Sequence, residues 1–205
     1  GIFQESYAAE AREMKGAGVQ FVTMVSDPGE GAKLLRDMAA QGFAPEAVLF
    51  GAQYYDAVLL SEPASEGVYV EMNTIPFEEA DDVPAMRQYL DAYEATGTKT
   101  APTALGVQAY SAAMLFATAA SNAGADLTRT TLVDEIGKIE SWDGGGLHFP
   151  TVPGSREREG CFLLMQIKDG AFVRSYPEEP GTFACDDENI APIKNPELNG
   201  STITW

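Results

Sequence analysis

The chain has 205 residues, of which 45% are hydrophobic and 21% charged, and its formal net charge is −18. Only 13 residues are Lys or Arg, which argues against nucleic-acid binding, because neutralising phosphates requires cationic side chains. No apolar run approaches the roughly 20 residues that a membrane-spanning helix requires. The length suits one large domain or two small lobes, and the first residue is Gly, so we expect the natural start to lie upstream or to have been removed.

The first predicted elements are a helix and a buried strand. The helix covers residues 3–15 and ends at Gly16 or Gly18. Residues 19–25 (VQFVTMV) are rich in β-branched and aromatic side chains, and the run is short enough for a buried strand.

A well-specified helix start follows this strand. Asp27 is placed to cap the helix, Pro28 suits its first position, and Glu30 lies where a capping box requires an acidic side chain. Apolar side chains then recur at helical spacing until Gly42 provides a stop.

Residues 47–51 (AVLFG) are the second predicted strand, which completes a strand–helix–strand unit. Ser26 and Asp27 follow the first strand, and Gln53 and Tyr54 follow the second. In open α/β sheets, ligands bind outside the carboxyl ends of the strands. The unit therefore predicts a small-molecule site formed by these two loops.

The middle of the chain is predicted to be mostly helical. An alternating run at residues 68–72 indicates a strand, and a helix with Pro84 in its first turn follows an acidic loop. Residues 103–123 form a long helix that is apolar nearly all round, and residues 128–139 form another. These apolar faces have no strand of their own to cover, so we expect the chain to be the second part of a longer protein.

Cys161 and Cys185 are the two cysteines of the chain. Two strand-like runs between them are joined at Asp169-Gly170, and such a hairpin followed by a short loop would bring the cysteines together. A disulfide would contribute roughly 3 kcal/mol and indicate an oxidising, extracytoplasmic compartment. The alternative is two separate buried thiols, and no Cys-x-x-Cys pair points to zinc.

Five segments carry a family resemblance, and their order and spacing matter more than any one of them. They are residues 14–19 (MKGAGV), 35–43 (LRDMAAQGF), 67–70 (GVYV), 108–112 (QAYSA) and 166–173 (QIKDGAFV). In this order the chain resembles the C-terminal half of a type I periplasmic solute-binding protein. The family is the branched-chain amino acid (Leu/Ile/Val) binding family of ABC transporters.

The resemblance implies an α/β fold of two Rossmann-like lobes joined by crossover strands. Residues 1–75 and 157–205 would belong to lobe two. Residues 76–156 would belong to lobe one, whose sheet would come mostly from sequence that this chain does not contain. Two crossovers would lie near residues 73–76 and 153–160.

The same resemblance implies which side chains contact the ligand. Lobe two of the family holds the ligand's amino group and lines its side-chain pocket, which by position selects Ser26, Asp27, Gln53 and Tyr54. The alternatives are a helix cap alone for Asp27 and an ordinary surface loop for Gln53 and Tyr54. The sequence departs from the family where an aromatic residue often follows the first strand and an acid often follows the second, so it leaves the ligand unidentified.

The resemblance further implies an extracytoplasmic binding protein of an ABC importer. Its solute would be a small amino-acid-like or amide molecule, and its partner an ABC permease of the inner membrane. It would be periplasmic or extracellular, free or lipid-anchored through an upstream segment, and monomeric when full length. A ligand-sensing receptor or regulatory domain of the same fold is the alternative. An α/β enzyme is disfavoured, because no nucleophile–base set or phosphate-binding Gly-rich loop is visible.

The remaining chemistry-bearing residues indicate neither a cofactor nor a metal. His148, the one histidine, is interpreted as a structural residue. The acidic stretches at residues 78–82 and 186–189 lack the ligand spacing of a calcium loop and are interpreted as solvated loops. Asn199 begins a formal glycosylation sequon.

Overall fold

The structure is a computed structural model that describes residues 4–155 and 160–190. The sequon at Asn199, residue 3 of the first predicted helix, and residues 156–159 of the second predicted crossover lie outside the described residues.

Helices and strands alternate in the first part of the chain and separate in the second. The helices are α1 (Ala8–Gly16), α2 (Pro28–Ala40), α3 (Ala57–Leu60), α4 (Pro84–Ala95), α5 (Ala104–Ala123) and α6 (Arg129–Gly137). The strands are β1 (Phe21–Val22), β2 (Ala47–Phe50), β3 (Tyr69–Met72), β4 (Cys161–Lys168), β5 (Ala171–Tyr176) and β6 (Ala184–Cys185).

One mixed sheet joins these strands in the order β1-β2-β3-β4-β5, and β6 pairs with β4. Strands β1, β2 and β3 are parallel, whereas β4 is antiparallel to β3 and to β5. The predicted α/β fold with a parallel strand–helix–strand unit is confirmed. Because the three parallel strands run the same way, the loops that follow them lie at one edge of the sheet.

Strand β1 is much shorter than residues 19–25, so that prediction is wrong in extent. Phe21 and Val22 pair with Ala47 and Val48, the first two residues of β2. Beyond Val22 the chain has no strand partner, and the side chain of Val25 is 90% exposed. The extent of β1 is set by where its pairing with β2 stops, which local composition does not report.

The first helix begins at Ala8 rather than at residue 3, because the preceding residues contact α2. The Asp37 carboxylate accepts hydrogen bonds from the Ser6 hydroxyl at 2.8 Å and from the Tyr7 N–H at 2.5 Å. These bonds compete with the start of a helical turn at that point.

An ion pair attaches α2 to the loop before β3. Arg36 donates from Nη2 to Glu62 Oε2 at 2.6 Å and from Nε to the same oxygen at 2.9 Å. Glu62 is buried, so this cation compensates a carboxylate that has lost most of its hydration.

The predicted hairpin and disulfide are both confirmed. Strands β4 and β5 are joined by Asp169 and Gly170, whose φ angles of 53° and 73° are those of a two-residue type I′ turn. Cys161 and Cys185 form the disulfide where β6 pairs with the start of β4.

A single cluster of buried side chains extends through both predicted lobes. It includes Phe50, Met72 and Leu163, which the resemblance assigns to lobe two, and Met86 and Val107, which it assigns to lobe one. The division at residues 75–76 and 156–157 therefore stays a prediction.

The long helix α5 has the predicted length, but most of its surface is uncovered. Thr103 caps it by accepting a hydrogen bond from the Gly106 N–H at 3.2 Å. Leu105 and Phe116 are 54% and 53% exposed. By length and composition, Ala104–Asp126 is the one stretch among the described residues that could cross a membrane, a test that core helices of water-soluble proteins also pass.

Candidate functional site

The site begins at the amino-terminal end of α2, where the predicted cap is confirmed. The Asp27 carboxylate accepts a hydrogen bond from the Glu30 N–H at 3.2 Å, and Pro28 occupies the first turn. Asp27 is exposed, so its carboxylate remains accessible while it caps the helix.

Glu30 does not complete the predicted capping box. Its buried carboxylate instead accepts hydrogen bonds from the Tyr7 hydroxyl at 2.6 Å and from Lys33 Nζ at 2.7 Å. The bond from Lys33, and then the bond from Tyr7, lower the pKa of Glu30. Burial, followed by the hydrogen bond to Glu30, raises the pKa of Tyr7 to about 12.

Tyr54 connects the two loops of the site from beneath. Its ring is 0% exposed and stacks on Phe50 with 4.3 Å between ring centroids. It lies so close to α2 that a Cβ added to Gly31 would be 2.3 Å from Tyr54 Cε1. Tyr54 therefore packs under the helix, and its role in lining a ligand pocket stays a prediction.

The Tyr54 hydroxyl shows that the two predicted loops adjoin. Burial raises the pKa of Tyr54 to about 12, while the neighbouring Ser26 main chain opposes this change and the carboxylates of Asp27 and Glu30 add to it. The hydroxyls of Tyr54 and Ser26 are buried without a hydrogen bond of normal geometry. The side chain after β2 thus reaches the loop after β1.

Gln53 is half-buried and folds back over its own loop. A Cβ added to Gly51 would be 2.9 Å from Gln53 Oε1, so this glycine makes room for the amide. Asp27 and Gln53 therefore provide a carboxylate and a neutral amide at the same edge of the sheet. Such groups accept hydrogen bonds from an ammonium or amide group.

A Ser–His contact that the sequence did not predict lies elsewhere, beside the chain that leaves β3. Ser111 Oγ is 2.8 Å from His148 Nε2 and accepts a hydrogen bond from Trp142 Nε1 at 3.0 Å. His148 Nδ1 is 2.8 Å from the Phe149 carbonyl oxygen, not beside the carboxylate that a catalytic triad provides. No local sequence signal joins these residues, because 37 positions separate Ser111 from His148.

The described residues contain no group of three or more His, Cys, Asp or Glu side chains that could hold a metal ion. In the acidic stretch at positions 78–82, Tyr55 donates to Glu78, and Glu79 pairs with Arg174. Glu79 is buried, so the prediction of a solvated loop is wrong for this residue.

The connection after β3 is held by main-chain bonds. Thr74 forms an antiparallel bridge with His148, and the Ile75 N–H donates to the Leu147 carbonyl at 2.8 Å. Asn73 Oδ1 accepts a hydrogen bond from Gln108 Nε2 at 2.9 Å, which links the end of β3 to α5.

Solved structures of binding proteins share this fold. A leucine binding protein, LivK, from Thermotoga maritima superposes with a TM-score of 0.68 at 17% identity, over 92% of this chain and 51% of its own. A branched-chain amino acid ABC transporter protein from Thermus thermophilus with bound valine gives 0.68 at 18% identity, over 85% and 49%. A fatty acid ABC transporter substrate-binding protein from Thermomonospora curvata gives 0.69 at 20% identity, over 88% and 51%.

The chain thus spans about half the length of these solved structures. No match is found among curated protein sequences. The sequence profile described as "Periplasmic binding protein" matches residues 3–171, which is most of the chain. This chain therefore belongs to the periplasmic binding protein family.

Proposed function

We propose that this chain forms part of an extracytoplasmic solute-binding protein of an ABC importer. The observation that carries the proposal is the meeting of the two loops after β1 and β2, where the Tyr54 hydroxyl lies beside the Ser26 main chain and the Tyr54 ring packs against Gly31 of α2. This edge of the sheet is where α/β folds bind ligands. Family membership supports the same role, and relatives of this fold include proteins described as binding leucine, valine and fatty acids.

The proposed ligand is a small amino-acid-like or amide solute. Asp27 and Gln53 would accept hydrogen bonds from its amino or amide group, and Ser26 would line the same loop. Tyr54, which packs beneath α2, would fix the distance between the loop after β1 and the loop after β2. Affinity would come from burying the solute between two lobes, without covalent chemistry.

In this proposal, residues 1–75 and 157–205 form lobe two, and residues 76–156 contribute to lobe one. The uncovered apolar surface of α5 supports this arrangement, because a helix of that composition requires cover on several sides. We infer that lobe one completes itself with a sheet that these residues do not supply. An ABC permease would receive the solute, in a periplasmic or extracellular location.

Thermal unfolding of the intact protein with a panel of solutes tests the proposal. The panel contains L-leucine, L-valine, small amides, small aromatic acids and a fatty acid. A true ligand at a hundredfold excess over its Kd should stabilise the protein by about 2.7 kcal/mol. A protein that responds to none of them, yet hydrolyses an ester or a phosphate, would contradict the proposal.

Asp27→Asn separates the binding role of Asp27 from its role as a helix cap. Asparagine caps helices about as well as aspartate, so the unliganded midpoint should stay close to that of the parent. The shift produced by a cationic or amine ligand should fall. The control is Glu46→Gln, a carboxylate-to-amide change at the opposite end of β2, where Glu46 contacts Gln20. Equal ligand shifts in both variants would rule out Asp27 as a contact.

A further inference from the structure

The chain that follows β5 is held against two distant points of the sequence. We call residues 177–190 the C-terminal clasp. Its first anchor is the pair formed by Arg174 and Glu79, in which Nε is 2.5 Å from Oε1 and Nη2 is 2.7 Å from Oε2. The two side chains are 8% and 10% exposed, so water screens this pair weakly.

The ion pair also binds the start of the clasp directly. Arg174 Nη1 donates to the carbonyl oxygens of Pro177 at 3.3 Å and Thr182 at 3.1 Å. The Gly181 N–H donates to Glu79 Oε2 at 2.8 Å. Glu79 is thus bonded both to the arginine and to the clasp backbone.

The second anchor lies at the entrance to β4. Cys185 of the clasp is bonded to Cys161, and Asn189 Nδ2 donates to the Gly160 carbonyl oxygen at 2.6 Å. The Asp186 N–H donates to the same carbonyl at 3.3 Å. A Cβ added to Gly160 would be 2.3 Å from the Asp186 carbonyl oxygen, so only glycine permits this approach.

The two anchors lie near the points where the chain leaves β3 and enters β4. Glu79 comes shortly after the end of β3, and Gly160 directly precedes Cys161, the first residue of β4. Strands β3 and β4 are antiparallel neighbours, with Met72 opposite Leu163, so the end of β3 and the start of β4 lie at the same edge of the sheet.

We propose that the C-terminal clasp holds together the two connections that leave β3 and enter β4, so that the disulfide and the Arg174–Glu79 pair restrain both as one unit. The inference rests on the proposed function in that these connections are the predicted crossovers between lobes. Loosening either anchor would then loosen the other. Such a coupling is reciprocal, because a free energy that links two sites acts equally from both.

Hydrogen–deuterium exchange of the intact, unliganded protein tests the first direction. Dithiothreitol reduces the disulfide, which accepts two electrons and two protons as the dithiol closes to its own disulfide. Amides of residues 73–80 should then exchange about tenfold faster, a typical size for coupled sites. A Cys161→Ser/Cys185→Ser variant should show this faster exchange without dithiothreitol and no further response to it. Faster exchange confined to residues 160–190 would overturn the proposal.

The rate at which dithiothreitol reduces the disulfide tests the reverse direction. Glu79→Gln keeps the side-chain size but removes the charge, and it should make Cys161–Cys185 react several-fold faster. Glu62→Gln is the matched control, because Glu62 is also buried and paired with an arginine but does not contact the clasp. Equal rates in the two variants would overturn the coupling.

If Glu79→Gln does not fold, the exchange experiment on the parent protein decides alone. Neither experiment contains a solute. A failure here is therefore distinct from a failure to bind ligands.

Discussion

Tyr7 and Glu30 form a buried hydrogen bond that ties the segment before α1 to the first turn of α2. The same carboxylate accepts a hydrogen bond from Lys33, whose ammonium also donates to the Gln4 carbonyl oxygen at 2.6 Å. Asp27, the proposed ligand contact, lies in the same turn as Glu30. The stability of this network therefore bears on the position of the site.

Tyr7→Phe removes the hydroxyl and keeps the ring. Because the hydrogen bond is to a buried carboxylate, the free energy of unfolding should fall by about 1–3 kcal/mol. Urea unfolding at neutral pH measures the change. Tyr176→Phe is the control, since that ring is half exposed, and it should change stability by less than about 0.5 kcal/mol.

The same pair predicts a loss of stability at alkaline pH. The pKa of Tyr7 is raised from 10.0 to about 12, so its folded form keeps the proton after the unfolded chain has lost it. Its contribution is complete below the unfolded pKa and disappears as pH rises through the folded one. Unfolding free energies measured across this window should fall less steeply for Tyr7→Phe, and identical slopes would contradict the assignment.

The sequence predicts an interaction correctly where a side chain bonds to the backbone only a few positions away. The Asp27 cap depends on a side chain and an N–H three positions away, so local sequence predicts it. The role of Glu30 depends on Tyr7, 23 positions earlier, and on the burial of both. No local pattern reports such a contact, and the burial of Tyr54 was missed for the same reason.

Helix α2 meets the loop after β2 at a point where only glycine fits. A Cβ added to Gly31 would overlap the Tyr54 ring, with Cε1 at 2.3 Å and Cδ1 at 2.9 Å. The close approach lets the ring fill the space under the helix. It also fixes how far the loop after β1 lies from the loop after β2.

Gly31→Ala should therefore destabilise the fold, although alanine favours helices. Overpacking typically costs about 1–3 kcal/mol, which exceeds the helix preference. Gly16→Ala is the control, because nothing lies within 4 Å of a Cβ there, and it should be neutral or stabilising by up to about 1 kcal/mol. Comparable midpoints for the two variants in urea would contradict the contact.

Turn and cap residues predicted the elements better than composition did. The Asp169-Gly170 turn and the Asp27 cap have backbone requirements that few residues meet, so both were predicted. The predicted length of β1 was wrong, because pairing with β2 decides where this strand ends. Helix α6 also ends at Gly137 rather than at residue 139.

At the scale of the whole molecule, α5 presents an apolar surface to solvent. In a protein limited to these 205 residues, that surface should bind a hydrophobic dye. Phe116→Ser should lower dye fluorescence and change the unfolding free energy by less than about 0.5 kcal/mol. Val173→Thr is the control, since this exposed residue lies on β5, away from α5. Equal dye fluorescence for the two variants would contradict the exposure of this face.

The order of elements was predictable because each strand–helix–strand step has a local signature, and the family resemblance followed from that order. The packing of α4 and α5 against the sheet was not predictable. It depends on the shared buried cluster and on long-range pairs such as Arg174–Glu79, which lie 95 positions apart.

Among the described residues, the buried carboxylates Glu30, Glu62 and Glu79 each have their own cation. Each pair joins one acid to one base, so the net charge of −18 is carried by the remaining side chains. Mutual repulsion among these charges is screened by dissolved ions, whereas the Arg174–Glu79 pair, whose side chains are 8% and 10% exposed, is screened much less. Added sodium chloride should consequently make the fold harder to unfold, and a fall in the melting temperature with ionic strength would show that attraction, not repulsion, dominates its exterior.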